Sequence, residues 1–175
     1  MSATRGIDFA TLTLKDALDL AVRIEEEAYE RYGELADQME MHDTPDAAHF
    51  FRFMMANEDK HRAALAARRH ELFGDATSSI TRAMIFDVEA PDYDEARAFM
   101  TVRAALGAAL RSEEKAHAFF VAALPQIQNA SVRTLFEDLC AEEVEHQALV
   151  RREIDNAPPD PEISSEDFAD EPVGE

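Results

Sequence analysis

The chain has 175 residues, 46% of them hydrophobic, and its 37 acidic and 17 basic side chains give a formal net charge of −20. That is enough for one domain with a sizeable core, and the charge argues against nucleic acid as a partner. The single cysteine, Cys140, excludes an internal disulfide, a four-cysteine iron site and a CxxC redox pair, and it suits a reducing cytoplasm.

The opening "MSATRGIDFATLTL" holds no apolar run of secretory length, and no later window approaches a membrane span. Long runs of Ala, Leu, Glu and Arg with only five glycines point to helix throughout. The first predicted helix covers about Thr13 to Met39, with Leu14, Leu18, Ala21, Val22, Ala28, Tyr32 and Leu35 on one stripe. A second starts at "TPD", with Thr44 as N-cap and Pro45 at the first helical position, and stops at Gly74. The third runs from about Thr101 to Leu124, ahead of Pro125. The fourth starts near the capping Asn129 and ends around Ile154. From Asp155 onward there are eight acidic residues, four of the seven prolines and no Lys or Arg. Residues 1–154 therefore read as one helical domain, and 155–175 as an acidic, flexible, solubilising tail.

The first and third helices repeat each other, as do the second and fourth. A shift of 88 places Ala17, Ala21, Glu25, Ala28 and Tyr32 on Ala105, Ala109, Glu113, Ala116 and Phe120. A shift of 85 places Thr44, Phe51, Glu58 and His61 on Asn129, Phe136, Glu143 and His146. Each half is thus a helical hairpin: a helix with one inward glutamate, then a helix with Glu-x-x-His. Residues 75–100 join the halves. A helix of ~27 residues is ~40 Å long, a distance that ~20 extended residues span. The expected fold is all-α: a four-helix bundle of two hairpins joined by a crossover running its length. Ile80, Met84, Ile85, Phe86 and Val88 within that crossover are expected to pack on the bundle.

Composition alone predicts just under one Glu-x-x-His pair in the chain, and three occur. Residues three apart on a helix share a face, so Glu58 with His61 grips one metal ion and Glu143 with His146 a second. Glu25 and Glu113 lie in the apolar stripes of their own helices, placed to bridge or cap the pair. Four carboxylates neutralise two divalent cations. The empty cluster would have to protonate or admit water. Carboxylate and imidazole donors suit iron or manganese, with zinc as the usual impostor.

The pattern Glu, Glu-x-x-His, Glu, Glu-x-x-His resembles the ferritin-like di-iron carboxylate superfamily. "EEEAYERY" around Glu25 and "EEKAHAFF" around Glu113 are similar to rubrerythrins and erythrins, over roughly residues 13–152. The resemblance implies two bound irons and peroxide reduction or ferrous oxidation. Its other implications are hydrogen peroxide or dioxygen as co-substrate, an external electron donor and a homodimer. Two departures stand out. A four-cysteine rubredoxin domain has no counterpart here, and the additional glutamate that rubrerythrins tend to carry three residues after the helix-three ligand is Ala116.

Other residues have blander readings. The third pair, Glu114 and His117, has no repeat partner: Glu114 reads as surface, and His117 as packing or a near-site group. Tyr32 matches Phe120, which favours core packing over a near-site hydroxyl. Glu26, Glu27 and Glu30 read as a solvated face, although Glu26 for Glu25, or Glu114 for Glu113, remains an open register that the alanine three residues later decides against. "FFRFMM" reads as core, and Cys140 as a small apolar residue of the fourth helix. Two other functions fit the same scaffold: oxygen-activating hydroxylation of an organic substrate, and iron binding or storage without turnover.

Overall fold

The computed structural model describes residues 6–85, 88–89, 91 and 100–160. Four helices make up its core: α1 (Leu14–Met41), α2 (Pro45–Phe73), α3 (Val102–Ala123) and α4 (Ala130–Asn156), with no strand among the described residues. Their boundaries follow local chemistry. Thr13 and Thr101 accept the backbone N–H of Asp16 and Ala104, and Asn129 accepts those of Ser131 and Val132, which satisfies otherwise orphaned donors. Thr44 occupies the N-cap position of α2 without capping through its side chain; its hydroxyl donates to the carbonyl of Met39 instead. At the far end of α2, Gly74 takes φ 55°, a left-handed conformation that a Cβ would strain. α4 runs two residues past the expected Ile154, to Asn156. The remainder of the predicted acidic tail, from 161 on, lies outside the described residues.

α1 packs along α2, and α3 along α4; α2 also meets α3, and α1 meets α4. The core is two apolar clusters rather than one. The first gathers Leu18, Ala21 and Ile24 of α1, Phe120 of α3 and Leu135, Phe136 and Leu139 of α4. The second gathers Ala28, Tyr32 and Leu35 of α1, Phe51 and Met54 of α2, Ala105 and Ala109 of α3 and Val150 of α4. Along every helix the change from one cluster to the other falls at the same level. α1 and α4 therefore run from the first cluster towards the second, while α2 and α3 run the opposite way. The chain leaves α2 at the first cluster and re-enters through Met100 at the second. The two ends of the crossover thus lie at opposite ends of the bundle, a distance its length can cover.

Its described part lies along α1. Lys15 donates to the carbonyl of Thr77, Ser79 to Asp16, and Arg31 to the carbonyl of Pro91, while Arg82 pairs with Glu30. Ile80, Ile85 and Val88 are buried in the first cluster, with Met84 partly buried against it; Phe86 lies outside the described residues. This layer corrects one expectation. Glu26 and Glu30 are part-exposed, but Glu27 is buried, because the crossover covers the side of α1 that the sequence pattern leaves to solvent. None of the described helices is long and apolar enough to cross a membrane.

Phe136 meets Phe9 and Phe120 edge-on at centroid distances of 6.0 and 5.5 Å and is fully buried. Phe136→Ala is expected to destabilise the protein by about 3–5 kcal/mol in urea denaturation, from lost transfer energy plus an unfilled cavity.

Candidate metal centre

Between the two apolar clusters lies a layer of carboxylates. α1 brings Glu25, α2 Glu58, α3 Glu113 and α4 both Glu143 and His146, all buried. Each follows from helical spacing: Glu25 sits between Ile24 and Ala28, and Glu113 between Ala109 and Ala116, on the face already turned to the core. A further carboxylate enters from the crossover. Glu89 is 1% exposed and joins the same layer. Three overlapping groups have ligand atoms within 4.8 Å of one another: Glu58, Glu113 and His146; Glu25, Glu58 and Glu89; and Glu89, Glu113 and Glu143.

Glu113 is the best supported member. The Tyr32 hydroxyl donates to its Oε1 at 2.8 Å, its Oε2 lies 3.0 Å from His146 Nδ1, and Gln147 donates to its backbone carbonyl at 3.3 Å. The others lack donors. Both oxygens of Glu58 and of Glu89, and Oε2 of Glu25 and of Glu143, are buried without a hydrogen-bond partner among the described residues. Neighbouring carboxyls can supply one only while one of the two holds a proton, since ionised carboxylates only accept. Burial and mutual repulsion accordingly push the Glu25, Glu58, Glu89 and Glu143 carboxyls well above their ordinary value. Burial, with the charge of Glu113 beside it, also raises the Tyr32 phenol well above its usual value, so it stays a donor. His146 has a raised pKa: burial opposes protonation, but the adjacent Glu113 carboxylate outweighs it.

Of the residues singled out from the sequence, Glu25, Glu58, Glu113, Glu143 and His146 converge. His61 stands outside the three groups. It is about one-quarter exposed, its ring centroid 4.8 Å from that of His146 and its Nδ1 3.9 Å from Glu142, and its pKa is lowered by burial and by the neighbouring His146. On its outer side it borders a 290 Å³ pocket shared with Lys60, Leu65, Arg68 and Glu142. The expected pairing of each histidine with the glutamate three residues before it is therefore not the grouping found: His146 groups with Glu58 of α2 and Glu113 of α3. Tyr32 is both core and near-site hydroxyl, packed at 6.1 Å against Phe51 while bonding Glu113. His117 is partly buried on α3 and belongs to none of the groups, and Glu114 pairs with Arg151 at the surface. Sequence reading missed Glu89. It lies in an irregular segment, with no period or Glu-x-x-His spacing to mark it.

The donor set fits a metal pair: clustered hard oxygens with imidazole, most of those oxygens without a hydrogen-bond partner among the described residues. Four helices built round such a layer define a ferritin-like carboxylate bundle. The rubrerythrin family model matches residues 16–164, and the chain belongs to the rubrerythrin family. It is also similar to an uncharacterized conserved protein from Magnetospirillum magnetotacticum, solved by crystallography. The two are 28% identical, with a TM-score of 0.68, over 87% of this chain and all of the other. No curated protein matches the chain.

Two tests follow from the electrostatics. Carboxyls with raised pKa values hold more protons folded than unfolded, so their contribution is complete below the unfolded value, near 4.5, and is lost as pH rises through the folded values. The melting temperature of metal-free protein is expected to fall as pH rises above 4.5, and excess divalent metal to flatten that slope, both read by calorimetry. Tyr32→Phe removes the donor to Glu113 and is expected to cost about 1–3 kcal/mol in urea denaturation of the metal-free protein.

Proposed function

We propose that this protein is a di-iron oxidoreductase that reduces hydrogen peroxide, or oxidises ferrous iron with peroxide or dioxygen, at the carboxylate layer. The supporting observation is the set of buried carboxylate oxygens on Glu25, Glu58 and Glu143 that have no hydrogen-bond partner among the described residues. Fixed on packed helices, that set would be held apart by repulsion, and it becomes favourable once cations occupy it.

Glu25, Glu58, Glu113, Glu143 and His146 would hold the metals, with His61 available at the margin. Two ferrous ions held there would supply the two electrons that, with two protons, convert one hydrogen peroxide to two waters. The chain's own part is positional and electrostatic. Tyr32 and Gln147 hold Glu113 in place, and the apolar clusters above and below keep the layer dry. The phenol of Tyr32, kept protonated by its surroundings, stays a donor to Glu113 and orients that carboxylate. The 290 Å³ pocket at His61 suits a small polar oxidant better than an extended organic substrate. The reading includes an external electron donor, a homodimer formed through the outer helix faces and, from the single cysteine, a reducing cytoplasmic location.

Anaerobic loading of metal-free protein with two equivalents of Fe(II), followed by peroxide or dioxygen, tests the reading through ferric absorption in the near ultraviolet. Rapid oxidation by peroxide is the expected outcome, and inertness to both oxidants would remove it. Glu58→Ala and Glu143→Ala are each expected to lose about one metal per chain in elemental analysis, a loss consistent with the removal of one ligand from a built site. A very large assembly on size exclusion would favour iron storage instead.

A further inference from the structure

Four of the five carboxylates in the layer stand on helices, where spacing and packing explain their presence. Glu89 does not. It arrives on irregular chain, yet that chain is pinned on both sides of it. Ile85 and Val88 are fully buried in the first apolar cluster, and the carbonyl of Pro91 accepts a buried 2.7 Å hydrogen bond from Arg31. Those anchors drive the intervening glutamate inward. Both of its oxygens are buried without a donor, in the company of four other carboxylates. Within the three ligand groups, Glu89 alone is grouped with both Glu25 and Glu143, which are not grouped with each other.

The two halves of the bundle also differ at this place. In one half Tyr32 of α1 reaches Glu113 of α3 with its hydroxyl. The matching residue on α3 is Phe120, which has no hydroxyl to offer Glu25 of α1. What stands beside Glu25 and Glu58 instead is a further acceptor, Glu89. Brought into so crowded a layer, a fifth carboxyl must either keep a proton or meet a cation, and oxygen donors converging from five separate segments suit a cation.

We infer that Glu89 is a ligand of the metal pair, linking its Glu25 side to its Glu143 side, and that the crossover is thereby a working part of the metal site rather than a connector. This rests on the metal-binding reading proposed above. With Glu89 included, five carboxylates face two divalent cations, so the filled site carries one excess negative charge and prefers metal ions of higher total charge.

The test titrates metal-free, full-length protein anaerobically with Co(II), whose visible absorption reports its ligand set. Wild type is expected to take up two Co(II) per chain. Glu89→Gln keeps the shape of the side chain and removes its charge. Its metal-free form is expected to match wild type in circular dichroism and to melt no lower, while at least one Co(II) binds about tenfold or more weakly, with altered visible bands and a smaller rise in melting temperature on loading. Glu114→Gln, at an exposed glutamate, should leave all of these unchanged. Wild-type affinity, bands and thermal shift in Glu89→Gln would overturn the inference while leaving the metal site standing. So would loss of the metal-free fold in that variant, which would show Glu89 to be structural. Failure of wild type itself to bind Co(II) would instead remove the metal-binding reading.

Discussion

The repulsion among buried carboxylates is the constraint around which this protein is built. Glu25, Glu58, Glu89, Glu113 and Glu143 occupy one level of the bundle, and the described residues do not supply donors enough for them. A layer of that kind cannot hold itself together. It is held by the two apolar clusters on either side, each drawing on all four helices or their ends. Hydrophobic burial at about 25 cal/mol per Å² of apolar surface provides the closing force, and the carboxylate layer is the load it carries. The division of the core into two halves with a charged layer between them is the structural form of that balance.

The same constraint explains the unequal treatment of the carboxylates. Glu113 has a phenol, an imidazole and a backbone contact from Gln147 around it, whereas among the described residues no phenol, imidazole or amide donates to Glu58, whose partners are other carboxyls. One carboxylate is oriented before any ligand arrives, and the rest are left with free lone pairs. Pre-orientation of one anchor and availability of the others is what a site needs if it is to bind a hard cation without first breaking hydrogen bonds. His146, beside the oriented Glu113, belongs to the prepared part; His61, at the pocket margin, belongs to the accessible part.

The crossover does more than return the chain to the far end. It lies on α1 through Lys15, Asp16, Glu30 and Arg31, buries Glu27 and inserts Ile80, Ile85 and Val88 into the first cluster. α1 is consequently enclosed on more of its circumference than a helix in a bare bundle, which is why Asp19, Glu27 and Arg31 are buried alongside its apolar stripe. Asp19 takes part in a local network with Arg69 of α2 and Lys15, so this polar burial is matched by charge. The carboxylate layer is not matched in that way, and that contrast is what the proposed metal-binding role rests on.

Sequence alone determined the four helices, their pairing into two like hairpins, the full-length crossover and the inward direction of Glu25, Glu58, Glu113, Glu143 and His146. The helices and their inward faces rest on regular helical geometry, where three- and four-residue spacing fixes which side chains share a face, and the crossover on the chain length needed to return along a helix. Tertiary structure decided the remainder. Which histidine lies among which glutamates depends on how α2, α3 and α4 approach one another, and the pattern on any one helix does not contain that. The burial of Glu27 and the arrival of Glu89 depend on where an aperiodic segment rests against α1, a matter of long-range packing with no local signature. Ala116 adds no carboxylate to the third helix; the fifth one in the layer comes instead from chain that carries no period to read.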